Sequence, residues 1–133
     1  HRRQRQMCIR DRLNSEAVGE ADVVILDSAS ALMPDDLDDK QRFDLMQRLR
    51  KITAEGRSIM LCLDPDEMNH KLLHNMRASA EVVLDLSTAL IGGDLKRSIV
   101  VTRFLRAAGP VQTSVGWRVE PSMGFIVDIT AVS

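Results

Sequence analysis

Apolar residues follow one pattern in the first part of this chain and another in the last. Ala21-Asp22-Val23-Val24-Ile25-Leu26-Asp27 is a short unbroken apolar run closed by a carboxylate, which predicts a strand buried on both faces, as in a parallel sheet. Ser28 to Asp36 is expected to be a loop, with Pro34 inside it. From about Leu37 to Ala54 the positions Leu45, Leu49 and Ile52, with Phe43 and Met46 alongside, recur at intervals of three and four, and Gly56 follows as a stop signal. That spacing predicts an amphipathic helix. Ser58 to Leu63 (SIMLCL) predicts a second buried strand. Asp64-Pro65-Asp66-Glu67 then offers a capping carboxylate, a proline at the first helical position and a Glu three residues after the cap, so a helix is expected from about Pro65 to Arg77. Glu81 to Leu86 (EVVLDL) predicts a third strand. Strand, helix, strand, helix, strand is the order of right-handed crossovers in a parallel sheet.

Beyond Leu86 no helical period returns. Gly92-Gly93-Asp94 is a turn signal, Lys96 to Leu105 reads as the returning strand, and Val115 to Glu120 and Gly124 to Thr130 flank a turn at Pro121-Ser122-Met123. The expected architecture is therefore α/β: a parallel sheet with helices on its faces, extended at the C-terminal end by antiparallel hairpins. No internal repeat and no low-complexity linker interrupts it.

Composition narrows the function classes. The 133 residues are 44% apolar and 28% charged, as in an ordinary globular protein, and no apolar run approaches the roughly 20 residues that cross a bilayer, so the chain is expected not to span a membrane. With 3% aromatics, no Tyr and one Trp, it has little with which to stack nucleic-acid bases, and no nucleic-acid partner is expected.

The formal charge of −1 averages two unlike regions. Residues 1–12 hold five of the 18 basic side chains and one of the 19 acidic ones, leaving 13 against 18 and a net −5 on the other 121 residues. Such a basic arm would ordinarily be read as a phosphate- or lipid-contacting tail. However, Met7-Cys8-Ile9-Arg10-Asp11-Arg12 matches the conceptual translation of a transposon sequencing adapter, ATG TGT ATA AGA GAC AG. Residues 1–12 are accordingly expected to be non-native or disordered and free of stable contacts, with residues 13–133 forming the C-terminal part of a domain whose upstream portion is missing. Setting that segment aside leaves Cys62 alone, so no disulfide framework is available and a reducing, cytoplasmic location is expected.

The sharpest chemical signal is Asp27-Ser28 at the end of the first apolar strand. A carboxylate at the carboxyl end of a buried parallel strand points into the crevice where α/β proteins bind ligands. In P-loop ATPases an Asp so placed holds the nucleotide's Mg²⁺, a hard cation that prefers oxygen ligands. The bland reading is a carboxylate capping the next turn. A third reading is a receiver-like phosphorelay domain, since ADVVILD followed by Met33-Pro34 resembles a phosphoacceptor strand and loop. That pattern also calls for Ser or Thr after the second strand and Lys-Pro after the third, where this chain has Asp64-Pro65 and no Lys-Pro.

Taken from about Leu13 to Ser133, VVILDSASAL, LRKITAEGRSIMLCLDP, MRASAEVVLDL, the Gly92-Gly93-Asp94 turn, SIVVTRFLRAAG and RVEPSMGFIVDI succeed one another in a family order. The chain resembles the C-terminal half of RecA-like ATPases of the KaiC type, and within them the archaellum accessory ATPases called FlaH. Val119-Glu120-Pro121 with Gly124 is the most specific single match. The resemblance implies a RecA-like sheet and an ATP-binding protein of archaellum assembly or motor regulation, with ATP and Mg²⁺ as cofactors. Asp27 and Ser28 would be the Walker B residues and Asp27 the metal residue, while Arg103 and Arg106 would be nucleotide contacts. It also implies a cytoplasmic homo-oligomeric ring, a hexamer in this family, engaging motor proteins at the membrane face. The alternatives are a KaiC-like regulatory ATPase and a non-catalytic nucleotide-sensing scaffold.

Departures from the family weigh on catalysis. Arg106 matches the late-strand Arg, but Phe104 stands where the family has Lys, with Arg103 one residue earlier as a substitute; Asp64 stands where FlaH-type sequences have His. No G-x-x-x-x-G-K-[ST] occurs, and Gly92-Gly93 sits in a hairpin rather than a phosphate cradle. The phosphate-binding loop and the catalytic Glu would lie upstream of Leu13, so this chain alone is expected to be inactive. Other constellations read as structure. His70 and His74 are one turn apart without the Glu of a zinc-peptidase helix, and Asp35, Asp36, Asp38 and Asp39 lack calcium-loop spacing and suit a helix N-terminus. Met33, Met46, Met60, Met68 and Met76 read as core fillers, and Trp117 as an anchor of the hairpin layer.

Overall fold

The computed structural model describes residues 9–128, which divide into two compact units, one through Ala78 and one from Ser79. In the first, β1 (Val23–Leu26) and β2 (Ser58–Leu61) pair in parallel, Val23 against Ser58 and Leu26 against Leu61, joined by the crossover helix α3 (Asp39–Ala54). Short helices α1 (Ile9–Leu13) and α2 (Glu16–Glu20) precede β1, and α4 (His70–Ser79) follows β2.

Helix α3 forms because both ends are specified. Asp38 and Gln41 make a reciprocal capping box, Gln41 N–H donating to Asp38 Oδ1 at 2.7 Å and Asp38 N–H to Gln41 Oε1 at 2.9 Å, and Gly56 leaves the helix at φ 80°. Its buried stripe is Arg42, Leu45, Met46, Leu49 and Ile52. Phe43, expected beside that stripe, is 61% exposed, because the stripe runs through positions 42, 45, 46 and 49 and turns 43 outward. The core joins the four apolar residues of that stripe to Ala29, Met33, Met68, Leu72 and Met76, and also to Ile9 and Leu13. Ile9 is 1% exposed, so the expectation of no stable contacts within residues 1–12 fails at this position; residues 1–8 lie outside the described residues. Met60 also departs from the core assignment, being exposed while Met33, Met46, Met68 and Met76 are buried.

Three element readings change. The helix expected from Pro65 is divided: Asp64 accepts from Asp66 N–H at 3.0 Å and caps only a 3-10 turn, Pro65–Glu67, after which Met68 is extended and buries its side chain. Asn69 then starts α4, its Oδ1 accepting from Lys71 and Leu72 N–H at 3.0 and 3.2 Å. Nor are the parallel strands buried on both faces. Val24 is buried, whereas Val23, Ile25 and Met60 are exposed, because among the described residues of this unit the core lies against one face of the strand pair.

The second unit is a four-stranded antiparallel sheet in the order β3 (Val82–Ile91), β4 (Asp94–Phe104), β5 (Ser114–Glu120), β6 (Gly124–Asp128). The third strand expected in the parallel sheet is thus the first of this one. Gly92 and Gly93, at φ 59° and 84°, supply the two positive φ values of a tight hairpin whose twist matches its strands, which pairs β3 with β4 from Val82↔Phe104 to Ile91↔Asp94. Register places Val82, Leu84, Leu86 and Leu90 on one face with Phe104, Leu95, Val119, Phe125 and Val127, all exposed. Trp117 lies on that face, its ring 5.5 Å from Phe125 and 5.8 Å from Arg97 Cζ.

Candidate functional site

Parallel pairing sends β1 and β2 to the same edge, so Asp27 and Asp64 both emerge from carboxyl ends of strands. Backbone bonds stitch these ends together: Cys62 N–H donates to Leu26 O at 3.0 Å and Ala29 N–H to Cys62 O at 2.9 Å. Ser30 adds a third tie. Its hydroxyl, 3% of the residue being exposed, lies 2.9 Å from Ser28 Oγ and accepts from Asp64 N–H at 3.1 Å. Reading the sequence missed Ser30, since a small polar residue in a loop has no periodic signature.

Asp27 and Ser28 are both exposed, joined by a cis peptide bond. Among the described residues the Asp27 carboxylate has no hydrogen-bond or ion-pair partner. It therefore caps no turn, and its oxygens are available to a ligand. A lone exposed carboxylate beside a hydroxyl fits Mg²⁺, which keeps several waters and takes one or two carboxylates together with substrate phosphates. A cleft of about 610 Å³ opens next to Ser30, with Asp35, Asp66 and Glu67 in its lining. Three acids there repel a triphosphate, so this cleft is no phosphate seat.

Arg103 and Arg106 belong to the second unit. Arg103 is on β4 opposite Val83, with its Nε buried and unpaired among the described residues. Arg106 follows β4 at φ 58° and its guanidinium bonds Glu81 Oε1 at 2.6 Å. Of the expected site residues, Asp27 and Ser28 are adjacent on one strand end and the two arginines on the end of another. Gly92-Gly93 is confirmed as a hairpin turn, and it offers no cradle for phosphate.

No protein-family model matches the chain. The archaeal flagellar ATP-binding protein FlaH of Methanococcus voltae is 31% identical over 125 residues, covering 94% of this chain and 54% of that protein. FlaH of Methanocaldococcus jannaschii is 33% identical over 121 residues, 91% of this chain and 52% of its own length. The crystal structure of the Methanocaldococcus jannaschii FlaH superposes with a TM-score of 0.81 at 32% identity, over 91% of this chain and 54% of that one. This chain is a homologue of FlaH. It spans about half the length of the FlaH relatives it matches, and it fits their C-terminal half. A KaiC-like protein of Pyrococcus horikoshii shares the fold, with a TM-score of 0.58 at 17% identity over 85% of this chain. The fold is thus the RecA-like α/β architecture of FlaH and KaiC-like proteins, represented here by a parallel strand pair with its helices and an antiparallel hairpin sheet.

Proposed function

We propose that this chain is the C-terminal part of an ATP-binding protein that acts, as a FlaH, in archaellum assembly or motor regulation. The observation that carries the reading is the unpartnered, exposed Asp27 carboxylate at the carboxyl end of β1, in a chain homologous to proteins named for ATP binding. In this reading Asp27 holds Mg²⁺ and Ser28 stands beside it, while Arg103 and Arg106 approach nucleotide phosphates. Bound Mg²⁺ would neutralise charge on the β and γ phosphates. The amides and Lys that cradle the triphosphate come from an upstream half. The whole protein works as a cytoplasmic ring, hexameric as the resemblance implies, against motor proteins at the membrane face.

Turnover is the point at which a second reading gains support. Phe104 in place of Lys moves one of the two late-strand cations a residue earlier, to Arg103, and Arg106 is already bonded to Glu81. These features favour slow hydrolysis or a nucleotide-sensing scaffold. Calorimetry of Mg-ATP on the protein carrying its upstream half tests both: Asp27→Ala should weaken Mg²⁺-dependent binding by about an order of magnitude or more. Binding equal to wild type would remove Asp27 from the site, and binding without turnover in the wild type would select the scaffold.

A further inference from the structure

A second cluster lies on the first turns of α4, away from the strand ends. A cleft of about 340 Å³ is lined by Arg42, His70, Lys71, His74 and Asn75. Every ionisable group in that lining is basic, on a chain whose residues 13–133 carry a net −5. The convergence follows from spacing. His70 and His74 stand one helical turn apart, as do Lys71 and Asn75, giving two adjacent rows on α4. Arg42, in the first turn of α3, completes the lining. Its side chain is 10% exposed and fixed in place, Nη1 donating to Leu37 O at 2.6 Å and Nη2 to the Asp39 carboxylate. Those bonds use two of the five guanidinium N–H groups and leave its charge permanent. Asp39, the carboxylate paired with Arg42, is itself 93% exposed.

Among the described residues, the side chains of His70, Lys71 and His74 have no hydrogen-bond or ion-pair partner. The histidine pair alone would invite a transition metal, but Lys71 and Arg42 repel a cation there, and among the described residues no third His, Cys, Asp or Glu joins the pair. An anion instead satisfies all the groups together. A tetrahedral oxyanion offers several acceptors to the ammonium, the imidazole N–H groups, the Asn75 amide and the remaining guanidinium N–H groups. We propose that this cleft binds the phosphate group of a ligand, with Lys71 and Arg42 supplying charge and His70 and His74 supplying directional donors. The proposal uses neither Asp27 nor the upstream half, so it stands or falls separately from the ATP reading.

The test is a titration of the full 133-residue chain with sodium phosphate at fixed pH, following the histidine ring signals by NMR, against sodium chloride of equal ionic strength. Saturating shifts of His70 and His74 in phosphate, absent in chloride, are expected. Lys71→Glu should weaken the response about tenfold. His74→Gln, also at an exposed position, should weaken it several-fold and serves if the charge reversal disturbs folding. A parallel sedimentation with vesicles containing anionic phospholipid, again comparing wild type with Lys71→Glu, identifies the source of the phosphate. Lys71-dependent binding to vesicles assigns a lipid headgroup, and binding of free phosphate without vesicle binding assigns a soluble ligand. Saturation by neither probe, or a Lys71→Glu response equal to wild type, overturns the site.

Discussion

Ser30 brings a hydroxyl into a place almost closed to water and uses it twice, toward Ser28 Oγ and Asp64 N–H. Replacing it with Ala strands one donor in a partly buried setting, so Ser30→Ala should lower unfolding free energy by about 1–3 kcal/mol in chemical denaturation. Asp27 behaves oppositely. An exposed carboxylate with no partner among the described residues contributes little to folding, and Asp27→Ala should change stability by no more than about 0.5 kcal/mol. A residue whose loss spares stability while it removes Mg-ATP affinity serves a ligand rather than the fold. Measuring both quantities on the same variant separates that role from the turn cap. Arg118 shows that ion pairing in the sheet is of another kind: its guanidinium is held above its usual range, first by the 2.8 Å hydrogen bond from Nε to Glu120 Oε1 and by that carboxylate's charge, which outweigh the opposing desolvation, with the charge of Asp128 as the smallest contribution. It stays charged at any working pH.

Helix α4 depends on one cap and one buried face. Asn69→Ala removes the acceptor for two first-turn amides and should destabilise by about 1 kcal/mol. Leu72, fully buried, should cost about 2–5 kcal/mol as Leu72→Ala, read as a lower denaturation midpoint with unchanged slope. The same helix shows where reading the sequence succeeds and fails. Its existence follows from period and caps, but Asp64 and Asn69 are both good caps, and only the burial of Met68 between them decides that the α-helix begins at the second. Apolar runs located β1 and β2, yet a run of Val and Ile is the same whether its second face is covered or open, so exposed Val23 and Ile25 were not foreseeable. The pairing of β3 was decided by the Gly92-Gly93 turn after it rather than by its own residues. The position of Asp27, exposed just after a strand, was legible from the apolar run before it. The basic cleft was not, because Arg42 meets Lys71 and His74 only through tertiary packing of α3 against α4.

For the molecule as a whole, binding parts and folding parts divide differently. With Asp27 present but no G-x-x-x-x-G-K-[ST] in 133 residues, most of the affinity for a triphosphate is lacking, since backbone amides and a loop Lys normally supply it. The chain by itself should show no measurable ATPase activity and bind nucleotide weakly, and steady turnover abolished by Asp27→Ala would contradict this. Folding reaches further toward the N-terminus than chemistry does. Removing residues 1–12 takes Ile9 from the core, and the melting temperature should fall by on the order of 5 °C, followed by far-UV circular dichroism. The choice of probe matters because of Trp117. The chain has one Trp and no Tyr, and that Trp is stacked on Phe125 in the antiparallel sheet. Ultraviolet emission from this protein therefore comes from a residue of the second unit, whereas dichroism also follows the helices of the first. A fluorescence curve that lags or leads the dichroism curve would measure directly how independently the two units melt.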